Sequence, residues 1–346
     1  MATLGFEVEW FDNIANAIKR LYLKFYLNDG TIELLHYEKN STFLGRVHYP
    51  SVTLSSLFIG NSITVYSRLL TIKSYANSAT EEYMSLHEVH VLCTVNREDG
   101  HVLGELFKTA RLQDMRTGRV ATTSQSISVA GLNIIPDDFI IEIVANSSET
   151  AEKFISKAQD ISGAVTAITL EAELIRQIIN SASPSSIPDD CTLCIIKPHV
   201  VHANRHEEAV NAILNHGGFS IAGVMMTHLH SDMADEFLRV YRKIIPLYSS
   251  LIEQFSGGPL MAVMITRSSY GSSDMPIGPE FREFCGPMNC ELAALIRPNS
   301  MRAKLGNPGV KTNIVQNGVH CTDLEDDGFM ECSYFFKTIA SIKQLE

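Results

Sequence analysis

Near the N-terminus the apolar positions fall in short, aromatic-rich runs broken by turn residues. Residues 21–27 end at Asn28-Asp29-Gly30 and residues 31–37 resume the run, a strand–turn–strand pattern around an Asp-Gly turn. Residues 42–46 and 63–69 read as two further strands, with Gly60-Asn61 supplying a turn between them. Residues 1–86 are therefore expected to form a small β domain without a catalytic constellation. In the next segment, 87–180, residues 89–95 read as a strand, 103–110 as a helix, 140–144 as a strand and 149–155 as a helix that Ser147 or Ser148 can cap. Residues 181–190, rich in Ser and Pro, mark a linker.

The last segment, 191–346, alternates element types. Residues 193–201 predict a strand and 207–215 a helix ended by Gly217-Gly218. A strand over 219–229 follows, then a helix capped by Ser231 or Asp232 that runs through Tyr241. Residues 260–266 read as a strand, and 329–336, an aromatic run behind the turn 325–328, as the last and buried one. The order βαββαβ fits a ferredoxin-like antiparallel sheet with helices on one face, so the fold class expected is multidomain α+β.

Composition narrows the partners. A chain of 346 residues, 45% hydrophobic, has material for two or three cored domains. Its net charge of −11 argues against a nucleic-acid partner, whose phosphates need a basic face, and against electrostatic attachment to acidic lipid or acidic protein tails. No basic–apolar–small leader and no bilayer-length apolar run is visible. Seven scattered cysteines without framework spacing point to a reducing, cytosolic compartment. Cys191-x-x-Cys194 has no second pair nearby and reads as two core cysteines, so no protein-held metal is expected.

Chemistry concentrates in Asn317-Gly318-Val319-His320-Cys321-Thr322-Asp323, with Glu331 eight residues beyond it. A buried carboxylate needs a partner, and an imidazole N–H is a natural one. A carboxylate on one ring nitrogen fixes the lone pair on the other, which makes His320 a candidate covalent nucleophile. A loop histidine beside a polar turn would show the same spacing. There is no Gly-x-x-x-x-Gly-Lys loop, so cationic side chains would have to hold any phosphate.

Asn317-x-x-His320 followed by a small residue, a hydroxyl and Asp323 resembles the active-site signature of the nucleoside diphosphate kinases. Cys194-Ile195-Ile196-Lys197-Pro198 resembles that family's first strand, and residues 281–287 with Ser300-Met301-Arg302 its phosphate-binding stretch. The resemblance spans 191 to about 340 and implies roles for matching residues. Lys197 would contact the transferred phosphate, Arg282 and Arg302 would clamp phosphates, and Asn317 would bind the ribose hydroxyl. His320 would carry the phosphoryl group, Thr322 would supply a hydroxyl and Glu331 would orient the ring. Mg²⁺ would enter with the nucleoside triphosphate and bridge its phosphates. Three departures stand out. Met288 replaces the phosphate-loop threonine, Leu247 the base-stacking aromatic, and the helix tyrosine falls at Leu238 or Tyr241. Insertions between Gly286 and Arg302 and around Gly306–Thr312 make the family hexamer an unlikely assembly by this resemblance.

The first unit is also similar to a known domain. Its start at Trp10-Phe11-Asp12, aromatic hairpin, Thr42-Phe43-Leu44-x-Arg46, Leu57-Phe58-Ile59-Gly60-Asn61 and Val65-x-Ser67-Arg68 resemble the DM-ten domain of axonemal proteins. The match implies kinship with axonemal kinase-family members that carry a DM-ten domain and two kinase-like domains, the first degenerate. In 87–180, Asn96-Arg97 stand where Lys-Pro would be and no Asn-x-x-His occurs. The expected role is a microtubule-associated protein of cilia or flagella, bound to tubulin and neighbouring axonemal proteins. Its C-terminal site would bind nucleotide and phosphorylate His320, with a fully active kinase and a purely structural scaffold as alternatives.

Overall fold

In the computed structural model the chain divides into two compact units, Met1–Glu88 with Gly257–Pro259, and the remainder. Described are all residues except 1–2, 13–14, 16, 40, 51, 60, 67, 183, 185, 247, 270, 272–273, 308–315 and 344–346. In the first unit the alternation builds one sheet from β1 (Thr3–Asp12), β2 (Ala17–Tyr26), β3 (Thr31–His36), β4 (Thr42–His48), β5 (Ser62–Val65) and β6 (Arg68–Tyr75). The strand order is β4-β3-β2-β1-β6-β5. Leu4, Phe6 and Val8 of β1 and Leu21, Leu23 and Phe25 of β2 point to one face and form its core, as a period of two requires. The single strand expected over 63–69 is instead a hairpin: Tyr66 takes a left-handed φ of 45° and Val65 pairs with Arg68. Asn77 caps α1 (Ser78–His87), a helix the sequence reading did not anticipate, by accepting from the Thr80 amide at 2.8 Å.

The second unit opens with β7 (Val89–Val95), α2 (Leu103–Leu112), β8 (Arg116–Thr122), a β9–β10 hairpin (Ile127–Val129, Leu132–Ile134), β11 (Phe139–Ala145), α3 (Ser148–Ile161), β12 (Val165–Thr169) and α4 (Ala172–Asn180). Ser147 caps α3, accepting from Thr150 N at 3.2 Å. The strands expected over 89–95 and 140–144 are present, and β8 and β12 join them in the order β12-β7-β11-β8. All three pairings are antiparallel, so the topology is ferredoxin-like.

A second sheet of the same order, β14-β15-β13-β16, follows. It consists of β13 (Thr192–Ile196), α5 (Pro198–His202), α6 (His206–Asn215), β14 (Phe219–His228), α7 (Ser231–Phe237), α8 (Tyr248–Ser256), β15 (Pro259–Arg267), α9 (Ile277–Cys285), α10 (Cys290–Ile296), α11 (Met301–Leu305), β16 (Val319–Cys321) and α12 (Gly328–Ser333). Three local expectations are corrected. The strand expected to reach residue 201 stops at Ile196, because Pro198 cannot donate to a ladder and instead starts α5 at its first turn. Ser231 is already helical in α7, with His230 at the cap and no side-chain cap bond.

The third correction bears on the site. Residues 329–336 are not a strand; they are α12 running on as a π-helical stretch, Tyr334–Ile339. The buried positions Cys332, Phe335, Phe336 and Ile339 recur at helical spacing, and Gly328 lets the helix start against strand β13. A Cβ at Gly328 would lie 2.0 Å from the Cys191 carbonyl. The last strand is β16.

Helices cover both faces of the C-terminal sheet, not one. Every residue of β13 is buried: Cys194 and Ile196 join the cluster under α6, α9 and α11, while Leu193 and Ile195 join the one under α7, α8 and α12. A continuous apolar strand of this kind belongs to a sheet buried on both sides. Among the described residues no helix is long and apolar enough to cross a membrane.

Candidate functional site

Register gathers the signature residues. On β13 and β16, Ile195 pairs with His320 and Ile196 with Val319, and the next residue, Lys197, donates its amide to the Gly318 carbonyl at 3.0 Å. Gly318 has φ 80°, and a Cβ there would lie 2.6 Å from the Leu305 Cβ, so only glycine fits between Asn317 and the strand. Lys197, Asn317 and His320, 2%, 3% and 8% exposed, therefore meet at the bottom of a cleft of about 510 Å³.

His320 is held by shape and by one carboxylate. Edges or tilted faces of Phe237, Tyr241 and Phe255 surround its ring at 5.4, 6.5 and 5.8 Å between centroids. Its Nε2 lies 3.4 Å from Glu331 Oε2. The same oxygen accepts from Thr322 Oγ1 at 2.9 Å, and Thr322 Oγ1 accepts from Leu193 N at 3.0 Å. A carboxylate on Nε2 favours the proton there and leaves the lone pair on Nδ1. Glu331 comes from α12, one side of the helix that the sequence reading took for a strand.

The cations are arranged by their neighbours. Lys197 Nζ donates to Asn317 Oδ1 at 2.8 Å and to Gln254 Oε1 at 3.3 Å, and lies 5.1 Å from the Phe255 ring centre. Burial, and then the nearby Arg302, push its ammonium pKa down to about 7. Arg302 donates through Nε to the Val319 carbonyl at 3.3 Å, through Nη1 to the Gly286 carbonyl at 2.8 Å and through Nη2 to Cys321 Sγ at 3.3 Å. Five N–H donors on a guanidinium leave one on each terminal nitrogen for a ligand. Burial alone would lower its pKa; Cys321, Cys285 and Asp323 outweigh that and raise it. The Cys321 thiol is in turn pulled down to about 6, chiefly by a Cys285 hydrogen bond and then by Arg302, against its burial.

Arg282, on α9, reaches Asp323 through its carbonyl at 2.7 Å and its carboxylate at 2.9 Å. Tyr241 donates to the other carboxylate oxygen of Asp323. Asn317 Nδ2 donates to the Met288 carbonyl at 3.0 Å, so both ends of its amide tie parts of the site together. Met288 lines the cleft half exposed, and Leu238 lines it buried. Leu247 lies outside the described residues. Sequence reasoning left Asp323 without a role and missed Phe237 on α7, Gln254 and Phe255 on α8, and Arg297, which follows α10 and lines the cleft; none carries a spacing signal.

The first ferredoxin-like sheet has no such centre. Thr94 pairs with Thr166 where Ile195 pairs with His320, so Thr166 occupies the register of the histidine, and Asn96 follows β7 as Lys197 follows β13.

A buried histidine oriented by a carboxylate, ringed by a lysine and arginines at the edge of a ferredoxin-like sheet, suits transfer of a phosphoryl group. The nucleoside diphosphate kinase family model matches residues 190–340. A nucleoside diphosphate kinase of Chlamydia abortus is 30% identical over 148 residues, which is 43% of this chain and 93% of that protein. The chain belongs to the nucleoside diphosphate kinase family. It is similar along nearly its whole length to nucleoside diphosphate kinase homolog 7 of Rattus norvegicus, at 28% identity over 380 residues, covering 97% of this chain and 93% of that one. Among solved structures, the Aquifex aeolicus nucleoside diphosphate kinase aligns with a TM-score of 0.37 and 26% identity over 44% of this chain and 97% of that chain.

Proposed function

We propose that the C-terminal fold binds a nucleoside triphosphate and passes its γ-phosphate through His320 to a nucleoside diphosphate. The observation that carries this is the Glu331–His320 pair: Nε2 is engaged at 3.4 Å, which leaves Nδ1 as the nucleophile on a ring buried in a cationic cleft. The Nδ1 lone pair attacks the γ-phosphorus, the bond to the bridging oxygen breaks and the nucleoside diphosphate departs; an acceptor diphosphate oxygen then attacks the phosphohistidine. Lys197, Arg282 and Arg302 balance the charge on the transferring group, and positioning supplies most of the rate. Asn317 holds Lys197 and the Met288 loop in place and offers the ribose a polar contact.

Mg²⁺ fits as a passenger of the nucleotide. No group of three His, Cys, Asp or Glu among the described residues could hold an ion. Asp323 in the cleft is engaged by Arg282 and Tyr241, and Glu331 behind the His320 ring by His320 and Thr322, while Glu283 also lines the cleft. When bound, the ion neutralises phosphate charge; the chain's own cations orient the phosphates.

The whole protein we place in the cytoplasm on the ciliary or flagellar axoneme, as a microtubule-associated protein contacting tubulin and neighbouring axonemal proteins. The first unit supports this through the ordered DM-ten-like motifs on β1–β6, and residues 89–180 read as a degenerate kinase-like copy, with Thr166 in place of the histidine. The deciding experiment incubates the full chain with γ-labelled ATP and Mg²⁺, beside His320→Ala, and chases with a nucleoside diphosphate. Acid-labile label that depends on His320 and leaves in the chase is the expected result. Label that stays favours a scaffold with a stalled site, for which Met288 in the phosphate loop is the specific reason; no label refutes the phosphotransfer. Salt-washed axonemes are expected to retain the protein, and a wholly soluble hexamer would refute the axonemal part.

A further inference from the structure

The fold of residues 89–180 lacks the site, yet it meets the C-terminal fold through equivalent elements. The helix that leads into the second strand of one, α2, packs on the helix in the same place in the other, α6, and the edge strands β8 and β14 lie against each other. Like elements meeting like is the geometry of two subunits across a two-fold axis, with each sheet covering the other's open edge. A single hydrophobic cluster runs through both folds, from Phe139 and Ile141 to Ile221 and Val224. Thr122 Oγ1 accepts from Val224 N at 2.9 Å, and Gly104 admits α6 so closely that a Cβ there would sit 2.0 Å from Asn211 Oδ1.

Polar contacts across this joint converge on the start of α6. Arg111 of α2 pairs with the buried Glu207 at 2.7 Å, Thr117 Oγ1 with His206 Nε2 at 2.9 Å, and Asn204 Nδ2 donates to the Met115 carbonyl at 3.1 Å. Arg205 sits among these anchored residues. It forks onto Glu208 at 2.8 and 2.7 Å and donates from Nη2 to the Lys304 carbonyl at 3.0 Å, on the short helix α11 that carries Arg302.

We propose that residues 89–180 serve the C-terminal site as a built-in partner subunit, fixing the 204–207 corner so that Arg205 holds α11 and presents Arg302 to the phosphates. This rests on the nucleotide-binding reading above. Arg111 and Arg205 are positioning residues: neither lines the cleft, Arg205 acts on Arg302 through the Lys304 carbonyl it holds, and Arg111 acts through the Glu207 carboxylate beside Arg205.

The test measures ADP affinity of the full chain by calorimetry, with melting temperature recorded for each variant. Arg111→Ala and Arg205→Ala are each expected to weaken ADP by roughly fivefold with melting temperature retained, in the range seen for coupling through packed networks. The double variant should be no weaker than the weaker-binding single, since both break one strut. Arg111→Lys should recover most of the loss, and Arg176→Ala, on α4 and paired with Glu173, should change nothing. Should Arg111→Ala unfold, Thr117→Val reports on the same corner. Multiplicative losses in the double variant, or unchanged affinity in the singles, overturn the strut while leaving nucleotide binding intact. A wild-type chain that binds no ADP overturns both.

Discussion

Lys197 is a buried ammonium whose named partners are two neutral amide oxygens, and Arg302 repels it. With its pKa at about 7, roughly half of the free chains hold it uncharged at neutral pH. A bound phosphate restores the ammonium, so ADP binding takes up a proton. Above pH 7 the charged fraction of the free site falls about fivefold over the first unit and about tenfold over the next. Between pH 7 and 9 it drops from about one half to about one hundredth, which predicts about fiftyfold weaker ADP binding, or ~2.3 kcal/mol.

Calorimetry in buffers of different ionisation enthalpy reads both quantities: the affinity slope, and about one proton absorbed per ADP at pH 8.5. Lys197→Met should bind more weakly and lose the slope, and whatever slope remains belongs to the ligand and to other groups such as Cys321. A flat affinity between pH 7 and 9 in the wild type, or a slope undiminished by Lys197→Met, refutes the assignment. Folding stability carries the same signature. The unfolded lysine binds more protons between pH 7 and about 10.4, so this group's contribution rises with pH across that window.

Three other outcomes are expected. Glu331→Gln keeps the shape but weakens the hold on the imidazole, and His320 labelling should slow about tenfold to a hundredfold, or ~1–3 kcal/mol, with ADP affinity nearly unchanged; equal rates would separate Glu331 from the chemistry. Gly318→Ala forces a left-handed alanine against Leu305, so chemical denaturation should show a loss of about 2 kcal/mol or more, and a neutral result would contradict the φ of 80°. Burial holds His199, His202 and His206 neutral, with pKa values of about 3, 4 and 4, whereas unfolded histidine protonates near 6.5. Their stabilisation is present above pH 6.5 and is lost as pH falls toward 4, so the melting temperature should drop steeply over that window, and His206→Gln should flatten the drop.

The C-terminal pattern was legible in α6, whose two faces differ, and in β15, whose short apolar run is buried on both sides. It misled where a run mixes buried and exposed apolar residues: Phe329 and Met330 are 37% and 69% exposed beside the buried Cys332 and Phe335. Residues 329–336 are apolar enough to read with either period, and the phase that decides, Cys332-Phe335-Phe336-Ile339, extends beyond the run that suggested a strand. The reading that Glu331 faces His320 survived this error because the pairing depends on the carboxylate and not on the element that carries it. Leu193 to Val201 failed for another reason: Lys197-Pro198 was read as a strand end in a motif and then ignored as a helix start. In 87–180, β8 and β12 were missed because Thr, Arg and Gly dilute their apolar runs. Only their pairing with β11 and β7 makes them strands.

The contact of β8 with β14 shows what a motif cannot: how residues 89–180 are tied to the C-terminal fold. A free ferredoxin-like sheet of order 4-1-3-2 exposes its second strand as an edge, and here β14 would be that edge. With β8 against it, and α2 against α6, the apolar side chains Ile221 and Val224 are buried in a core shared with Phe139 and Ile141. Loss of residues 89–180 would therefore bare an apolar edge next to the helix start that carries Arg205. Thr166 is exposed on β12, whereas a Cβ at Gly104 would meet Asn211 and Thr122 holds the Val224 amide.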